Sequence, residues 1–160
     1  RMQKAVFPLL SAVLLVFILL GSGCTFGGGY ADSTRSQKGD AIVQTARSQM
    51  GKPYKWGGDS PGEGFDCSGY VYWAYRQNGV SAPRNSSEQA RAGREVGRKA
   101  LRPGDIVIFS PGWQRSKHTG IYSGGGKFLH SPKKGSYIRE DSIDAKHWIE
   151  CFDSGRRLFD

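Results

Sequence analysis

One cysteine and two histidines have the side-chain types that nucleophilic catalysis requires. Such catalysis needs a thiolate, a base that generates it and a group that orients the base. Cys67 follows a glycine-rich loop and stands where a helix is predicted to begin. The free N–H groups and the dipole at a helix N-terminus stabilise negative charge and lower the pKa of a thiol. Position alone leaves open a buried, inert cysteine.

The two histidines, His118 and His130, lie on the arms of a predicted β-hairpin around Gly124. A three-residue turn centred on Gly124 would place them directly opposite each other, with Cβ atoms about 4.5–5.5 Å apart. Gly120, then opposite Phe128, leaves room for close packing on that face. Two imidazoles so placed can form a base and its orienting partner. A metal pair and two ordinary strand histidines are the alternatives, and a metal pair lacks a third ligand at a recognisable spacing.

The elements that must position these residues are helices first and strands later. Capping and turn residues predict helices from Asp40 to Gly51, from Asp66 to Gly79 and from Ser86 to about Gly93. Apolar patterns predict strands at residues 105–109, 118–122, 126–130, 136–139 and 148–152. In the second helix, Asp66 is the expected N-cap and the apolar residues share a face with Cys67. This order indicates an α+β fold with helices packed on an antiparallel sheet.

Five motifs together resemble the NlpC/P60 family of cell-wall peptidases. They read PYKWGG at 53–58, FDCSGYV at 65–71, RPGDIVIF at 102–109, HTGIY at 118–122 and FLHS at 128–131. They follow the family's order and cover about residues 40–152. The resemblance implies a papain-like α+β fold, with the cysteine on a helix and the histidines on the sheet.

The resemblance also implies a role for each matching residue. Cys67 is the nucleophile, His118 the general base and later the acid, and His130 the orienting residue. The residues implied for the oxyanion region and the substrate groove are Tyr54, Ser68 and Arg84. The backbone N–H of Cys67 is expected to contribute to the oxyanion region. An ordinary exposed arginine near a helix start is the alternative for Arg84, and no metal or cofactor is implied.

The family's typical substrate is the stem peptide of peptidoglycan, which is cut between D-glutamate and the diamino acid through an acyl-enzyme. A stem carboxylate could pair with Arg84 or with Lys55. Two alternatives are an amidase or acyltransferase on the same fold and a non-catalytic wall-binding lipoprotein. The complete set of Cys67, His118 and His130 argues against the non-catalytic protein. A wall hydrolase also needs restraint, for which a regulatory protein partner is one route.

The charge of the chain favours anionic partners but does not choose among them. The 160 residues carry a formal net charge of +9 at pH 7, and their number indicates one domain. Nucleic acid, an acidic membrane and an anionic wall polymer all fit this charge. The basic residues are scattered, and no zinc-finger spacing or aromatic RNA-binding signature occurs. Nucleic-acid binding is therefore not expected.

The N-terminus has the pattern of an export signal. Lys4 precedes an uncharged apolar run at residues 5–20, which small residues follow up to Cys24. Residues 1–23 are predicted to be a signal peptide. The residues before Cys24 resemble a bacterial lipobox in which Leu20 stands one place too far upstream. Lipidation at Cys24 is expected, with ordinary cleavage or an uncleaved anchor as alternatives.

The predicted organisation continues with a lipid-anchored flexible linker at residues 24–39, which is rich in glycine and serine. The peptidase domain follows at residues 40–160. This organisation places the domain on the periplasmic face of the bacterial envelope, anchored to the membrane. Thr25 after the cysteine, instead of aspartate, favours the outer over the inner membrane by analogy with lipoprotein sorting.

One further cysteine lies in the apolar stretch at residues 148–152. Cys151 is interpreted as a core residue of the last strand. A disulfide with another thiol is conceivable in an oxidising compartment. A bond to Cys67 is not expected, because it would abolish activity. His147 is interpreted as a solvated residue.

Overall fold

The computed structural model describes residues 29–112 and 116–159. The predicted signal peptide and Cys24 lie outside the described residues. The helices are α1 (Gly29–Arg47), α2 (Cys67–Gln77), α3 (Ser86–Gln89) and α4 (Lys146–Cys151), with a 3₁₀ turn at Arg98–Ala100. The strands are β1 (Asp59–Ser60), β2 (Gly64–Phe65), β3 (Arg94–Val96), β4 (Ile106–Phe109), β5 (His118–Gly124), β6 (Lys127–His130), β7 (Arg139–Ser142) and β8 (Phe152–Arg157). None of the helices in these ranges is long and apolar enough to cross a membrane.

Helix α1 begins at Gly29, upstream of the predicted start at Asp40, so the described part of the expected flexible linker is helical. Residues 29–39 contain no proline that would stop the helix. Ile42, Val43 and Ala46 are buried where α1 packs against α2 and the sheet. Helix α1 therefore supports the helix that carries Cys67.

The main sheet has six strands in the order β3-β8-β4-β5-β6-β7, and every pair of neighbours is antiparallel. Strand β4 is buried along its whole length. Ile106 and Ile108 belong to the core shared with α1 and α2, and Val107 and Phe109 to a second core with Trp148 of α4. Alternate residues of a strand point to opposite faces, so both faces of the sheet are covered. The predicted α+β fold is confirmed.

Two predicted strands differ from the structure. Residues 148–151 are helical, because α4 runs to Cys151 before β8 begins at Phe152. Strand β7 begins only at Arg139, since residues 136–138 pair with the loop before β1. The Tyr54 N–H donates to the Ser136 carbonyl at 2.8 Å, and the Ile138 N–H donates to the Lys52 carbonyl at 2.9 Å. This pairing ties the motif at residues 53–58 to the far edge of the sheet.

Candidate active site

Cys67 is the first residue of α2, directly after the N-cap Asp66. The Asp66 carboxylate accepts hydrogen bonds from the Gly69 N–H at 2.7 Å and from the Gly57 N–H at 3.0 Å. It therefore caps the helix and holds the glycine-rich loop against the helix start. A Cβ at Gly69 would overlap the carbonyl oxygen of Gly58, so this close approach requires glycine. The motif around Cys67 thus fixes where the thiol sits.

The thiol of Cys67 packs against the start of strand β5. Burial raises the pKa of the Cys67 thiol, and the backbone N–H of Thr119 lowers it only in part. That N–H belongs to the peptide group joining His118 to Thr119, so the sulfur lies beside the residue predicted to be the base. The helix N-terminus was expected to lower this pKa. The structure reverses the net direction, because the loss of solvent around the thiol outweighs the nearby N–H groups.

His118 and His130 lie on one face of the β5–β6 hairpin, and their rings touch. His118 Nε2 and His130 Nδ1 are 2.8 Å apart. The predicted register is wrong: Tyr122 faces Phe128, and the turn has two residues instead of three. The turn glycines at 125 and 126 have φ of 58° and 73°, as in the type I′ turn that suits a twisted hairpin. The histidines are consequently diagonal neighbours, which still reach each other on one face.

The second core encloses both imidazoles. His118 and His130 are fully buried. The Trp148 ring stacks on His118 with centroids 5.4 Å apart and an interplanar angle of 21°, and it meets His130 edge-on at 5.2 Å. Burial lowers the pKa of His118 well below its usual value and also lowers that of His130. Both rings are therefore neutral near pH 7, as a base that accepts a proton must be.

A third polar group continues the line of histidines. The Asp141 carboxylate on β7 lies 3.0 Å from His130 Nε2 through Oδ2. Arg139 contacts both oxygens of this carboxylate at 3.0 Å. Within residues 29–112 and 116–159, no three His, Cys, Asp or Glu side chains are arranged to hold one metal ion. The line from His118 to Asp141 is thus a hydrogen-bonded chain that ends on a carboxylate.

A groove of about 490 Å³ opens over the thiol. Its lining includes Tyr54, Trp56, Cys67, Ser68, Arg84 and Asn85. The side chain of Trp56 is 81% exposed, so an aromatic face is open to a ligand in the groove. Burial raises the pKa of the Tyr54 phenol, and the charges of Cys67 and Asp66 act in the same direction. Tyr54 is therefore a neutral hydrogen-bond donor beside the thiol of Cys67.

The guanidinium of Arg84 reaches the start of α2, where it pairs with carboxylates of this chain. The guanidinium contacts Asp66 at 3.0 Å, Asp59 at 3.3 Å and the Ser68 hydroxyl at 3.2 Å. Burial alone would lower the pKa of Arg84, but the hydrogen bond and charge of Asp66 raise it overall. Arg84 consequently braces the N-cap of α2. The exposed Lys55 does not line the groove.

The histidine pair and the helix-borne cysteine occur in the order and on the elements that the motifs imply. The sequence pattern of the NlpC/P60 family matches residues 51–157. The chain belongs to the NlpC/P60 family. All the site residues described above fall within the matched segment.

Related proteins carry this domain inside longer chains. Over 106 residues the chain is 47% identical to the gamma-D-glutamyl-L-lysine dipeptidyl-peptidase of Bacillus subtilis. This match covers 64% of this chain and 36% of the relative. The chain is 40% identical over 133 residues to the murein DD-endopeptidase MepH of Escherichia coli, with coverages of 80% and 49%. A crystal structure of an NlpC/P60 family protein from Bacillus cereus superposes with a TM-score of 0.71 at 31% identity, with coverages of 76% and 40%. The chain thus spans half or less of the length of these relatives.

Two residues of the site were missed by the sequence analysis. Asp141 lies on β7, beyond the end of the strand predicted at residues 136–139, and the sequence analysis gave it no role. Trp148 was assigned to a strand. Its burial against both imidazoles depends on α4, which lacks a side-chain cap and so gives little local signal. The placement of Cys151 in the last strand was wrong: it ends α4 and is half-buried against the second core. His147 is exposed, as predicted, and packs on Trp148.

Proposed function

We propose that this protein is a cysteine endopeptidase that hydrolyses the stem peptides of peptidoglycan through an acyl-enzyme. The observation that carries the proposal is the buried, hydrogen-bonded pair of His118 and His130 behind Cys67, the helix-borne cysteine that lines an open groove. The names of the two curated relatives, one a glutamyl-lysine peptidase and one a murein endopeptidase, support the substrate class. A non-catalytic wall binder would have no need of this arrangement.

The first chemical step is transfer of the thiol proton of Cys67 to His118. His118 uses Nε2 for its contact with His130, so the proton goes to Nδ1. Burial favours the neutral forms of both partners at rest. The thiolate and the imidazolium therefore form together, when a bound substrate places its carbonyl against the sulfur. The imidazolium of this charge pair is buried, so its Coulomb attraction to the thiolate is stronger than it would be in water.

The thiolate then attacks the carbonyl carbon, and negative charge develops on the carbonyl oxygen. The backbone N–H of Cys67, at the free end of α2, and the phenol of Tyr54 are the donors that this oxyanion meets. His118 returns the proton to the leaving amine as the C–N bond breaks, which leaves a thioester on Cys67. Water, deprotonated by His118, hydrolyses the thioester and restores the thiol.

Two bonds of the wall are candidate cleavage sites. The dipeptidyl-peptidase of Bacillus subtilis is named for a γ-D-glutamyl bond, which agrees with the cut predicted from the sequence. MepH is named as a DD-endopeptidase, and it is similar to a larger share of this chain. The γ-D-glutamyl bond to the diamino acid is our first candidate and the DD bond our second.

The N-terminal segment supports a proposal about location. The apolar run at residues 5–20 and the small residues before Cys24 favour export and lipidation at that cysteine. We therefore place the domain at the periplasmic face of the envelope, on the outer membrane by the sorting analogy. Radiolabelled palmitate incorporation in the intact cell, compared with a Cys24→Ala variant, tests this assignment. Equal labelling of the two proteins would refute lipidation at Cys24.

The decisive test of activity is mass spectrometry of muropeptides after incubation of purified wall with the full chain. Cys67→Ala is the control, because it removes the sulfur but leaves the cap of α2 intact. New fragments that end in D-glutamate establish the γ-D-glutamyl cut, and cross-linked dimers that become monomers establish the DD cut. Release of glycan strands without stems would show an amidase. An unchanged wall with both proteins would refute the proposed hydrolysis.

A further inference from the structure

Asp141 is held in place at the end of the histidine line. Its Oδ2 is 3.0 Å from His130 Nε2, and the Arg139 guanidinium contacts both carboxylate oxygens. The Asp141 side chain is only 21% exposed. Two side chains from two strands therefore fix the direction in which this carboxylate points.

Asp141 accepts hydrogen bonds and does not donate them. Its hydrogen bond with His130 and the contact with Arg139 hold the pKa of this carboxyl well below its usual range, against the opposing effect of burial. An ionised carboxylate has no proton to give. The hydrogen in the contact between His130 and Asp141 consequently sits on His130 Nε2.

This hydrogen determines the tautomer of both rings. A neutral imidazole carries one N–H, and burial keeps His130 neutral near pH 7 by lowering its pKa. With Nε2 of His130 protonated, its Nδ1 must be an acceptor. The hydrogen in the 2.8 Å contact between the rings therefore belongs to His118 Nε2. The lone pair of His118 is then on Nδ1.

We propose that Asp141 is a positioning residue of the catalytic base, which through His130 fixes the His118 tautomer whose Nδ1 accepts the Cys67 proton. The proposal rests on the role of His118 proposed above. Without Asp141, His130 is free to carry its hydrogen on Nδ1 and to present it to His118. His118 would then hold its own hydrogen on Nδ1, the nitrogen that has to receive the thiol proton. In serine proteases, loss of the orienting carboxylate disables the base in this way.

The carboxylate also matters once His118 is charged. The negative charge of Asp141 favours the protonated form of His118, and His130 disfavours it. Arg139 and His147 act on His130 in the opposite sense to Asp141. Cys67 on α2 is a further titratable group, packed beside the start of β5. Asp141 is the carboxylate in this set that contacts an imidazole.

The first test is NMR of the full chain with ¹⁵N-labelled histidines, in the absence of substrate. His130 is expected to carry its hydrogen on Nε2 and His118 on Nε2, with His147 as an exposed reference. A spectrum with hydrogen on Nδ1 of His130 would overturn the proposal. This readout needs no hydrolysis, so it separates failure of the positioning role from failure of the proposed function.

The second test compares Asp141→Ala and Asp141→Asn with Glu140→Gln. Glu140 is the adjacent carboxylate, but it faces Arg47 and Ser123 and does not touch the histidines. Asp141→Ala is expected to lower kcat about 10- to 100-fold, the range for carboxylate–histidine contacts next to metal ligands, with KM changed less than about 2-fold. Asp141→Asn puts an amide that can donate where the carboxylate only accepts, so it should lose at least as much kcat as Asp141→Ala, and Glu140→Gln should keep wild-type kcat.

Two further outcomes are decisive. If folded Asp141→Ala has wild-type kcat and an unchanged His130 tautomer, Asp141 has no positioning role. If Asp141→Ala does not fold, the wild-type spectrum and the folded Asp141→Asn variant decide, since the asparagine preserves the shape of the side chain. Circular dichroism and thermal unfolding establish which variants are folded.

Discussion

His118 and His130 are in contact although their backbones are not opposite each other. Their ring nitrogens are 2.8 Å apart. The register of β5 and β6 pairs Ile121 with Leu129, so its continuation sets Gly120 opposite His130. The diagonal contact therefore passes across a residue without a side chain. The geometry of the histidine pair depends on that glycine.

Replacement of Gly120 by alanine is expected to disturb this contact. The new Cβ would lie 2.7 Å from the carbonyl oxygen of Leu129, 2.8 Å from the ring of Phe128 and 3.2 Å from Cβ of His130. Overpacking of this kind typically costs about 1–3 kcal/mol. We expect a lower free energy of unfolding in urea, together with a kcat that falls more than KM changes.

Gly62→Ala is the matched control, because nothing lies within 4 Å of an added Cβ there. It should leave both the free energy of unfolding and kcat near wild type. If Gly120→Ala kept the wild-type free energy of unfolding and kcat, as Gly62→Ala should, the close approach of β6 to Gly120 would be contradicted.

Trp148 is expected both to stabilise the fold and to hold the imidazole of His118 in place. Its ring contacts His118, His130, Phe109 and Phe128 from α4. Truncation of a buried aromatic residue to alanine costs about 3–5 kcal/mol. In urea, the free energy of unfolding of Trp148→Ala should fall by this amount. In activity assays, its kcat should also fall strongly. Trp148→Phe keeps an aromatic face on the imidazole and should lose much less of both.

The control for Trp148 is Ile149→Ala on the same helix, whose side chain is 49% exposed. Its cost should stay within about 0.5 kcal/mol, as is usual at the surface. A Trp148→Ala variant as stable as Ile149→Ala would mean that α4 does not close the second core.

The sequence predicted the parts of the site whose signals are local. Asp66 and Gly69 make the start of α2 recognisable, and the apolar run at 106–109 makes β4 recognisable. The β5–β6 register was wrong because three consecutive glycines allow turns of two or three residues, and only the sheet decides between them. Asp141 and Trp148 could not be found locally, since their contacts are with residues on other strands.

The buried neutral histidines predict a specific loss of stability in acid. The unfolded chain binds a proton at each histidine near its usual pKa of 6.5, whereas burial lowers the pKa of His118 and His130 in the folded state. Below pH 6.5 the unfolded state thus holds more protons, so stability falls as pH falls. For each histidine, the free energy of unfolding can fall by at most about 1.4 kcal/mol per pH unit.

Urea unfolding measured between pH 7 and pH 5 tests this linkage, above the pH at which most carboxylates titrate. The free energy of unfolding should decline across this range. In His118→Gln the decline should be shallower, because one of the two buried groups no longer titrates. A stability that is equal at pH 7 and pH 5 would contradict neutral burial of the pair.

The thiol predicts a distinctive pH profile of chemical reactivity. Burial raises the pKa of Cys67 above the usual value of 9.0. Only the thiolate is alkylated rapidly, so the rate with iodoacetamide should be low at pH 7 and should still be rising at pH 9. The measurement uses a Cys151→Ser background, because Cys151 is the other free thiol in the described part of the chain. A rate already at its plateau by pH 6 would instead show a resting thiolate–imidazolium pair, and His118 would then be charged before substrate binds.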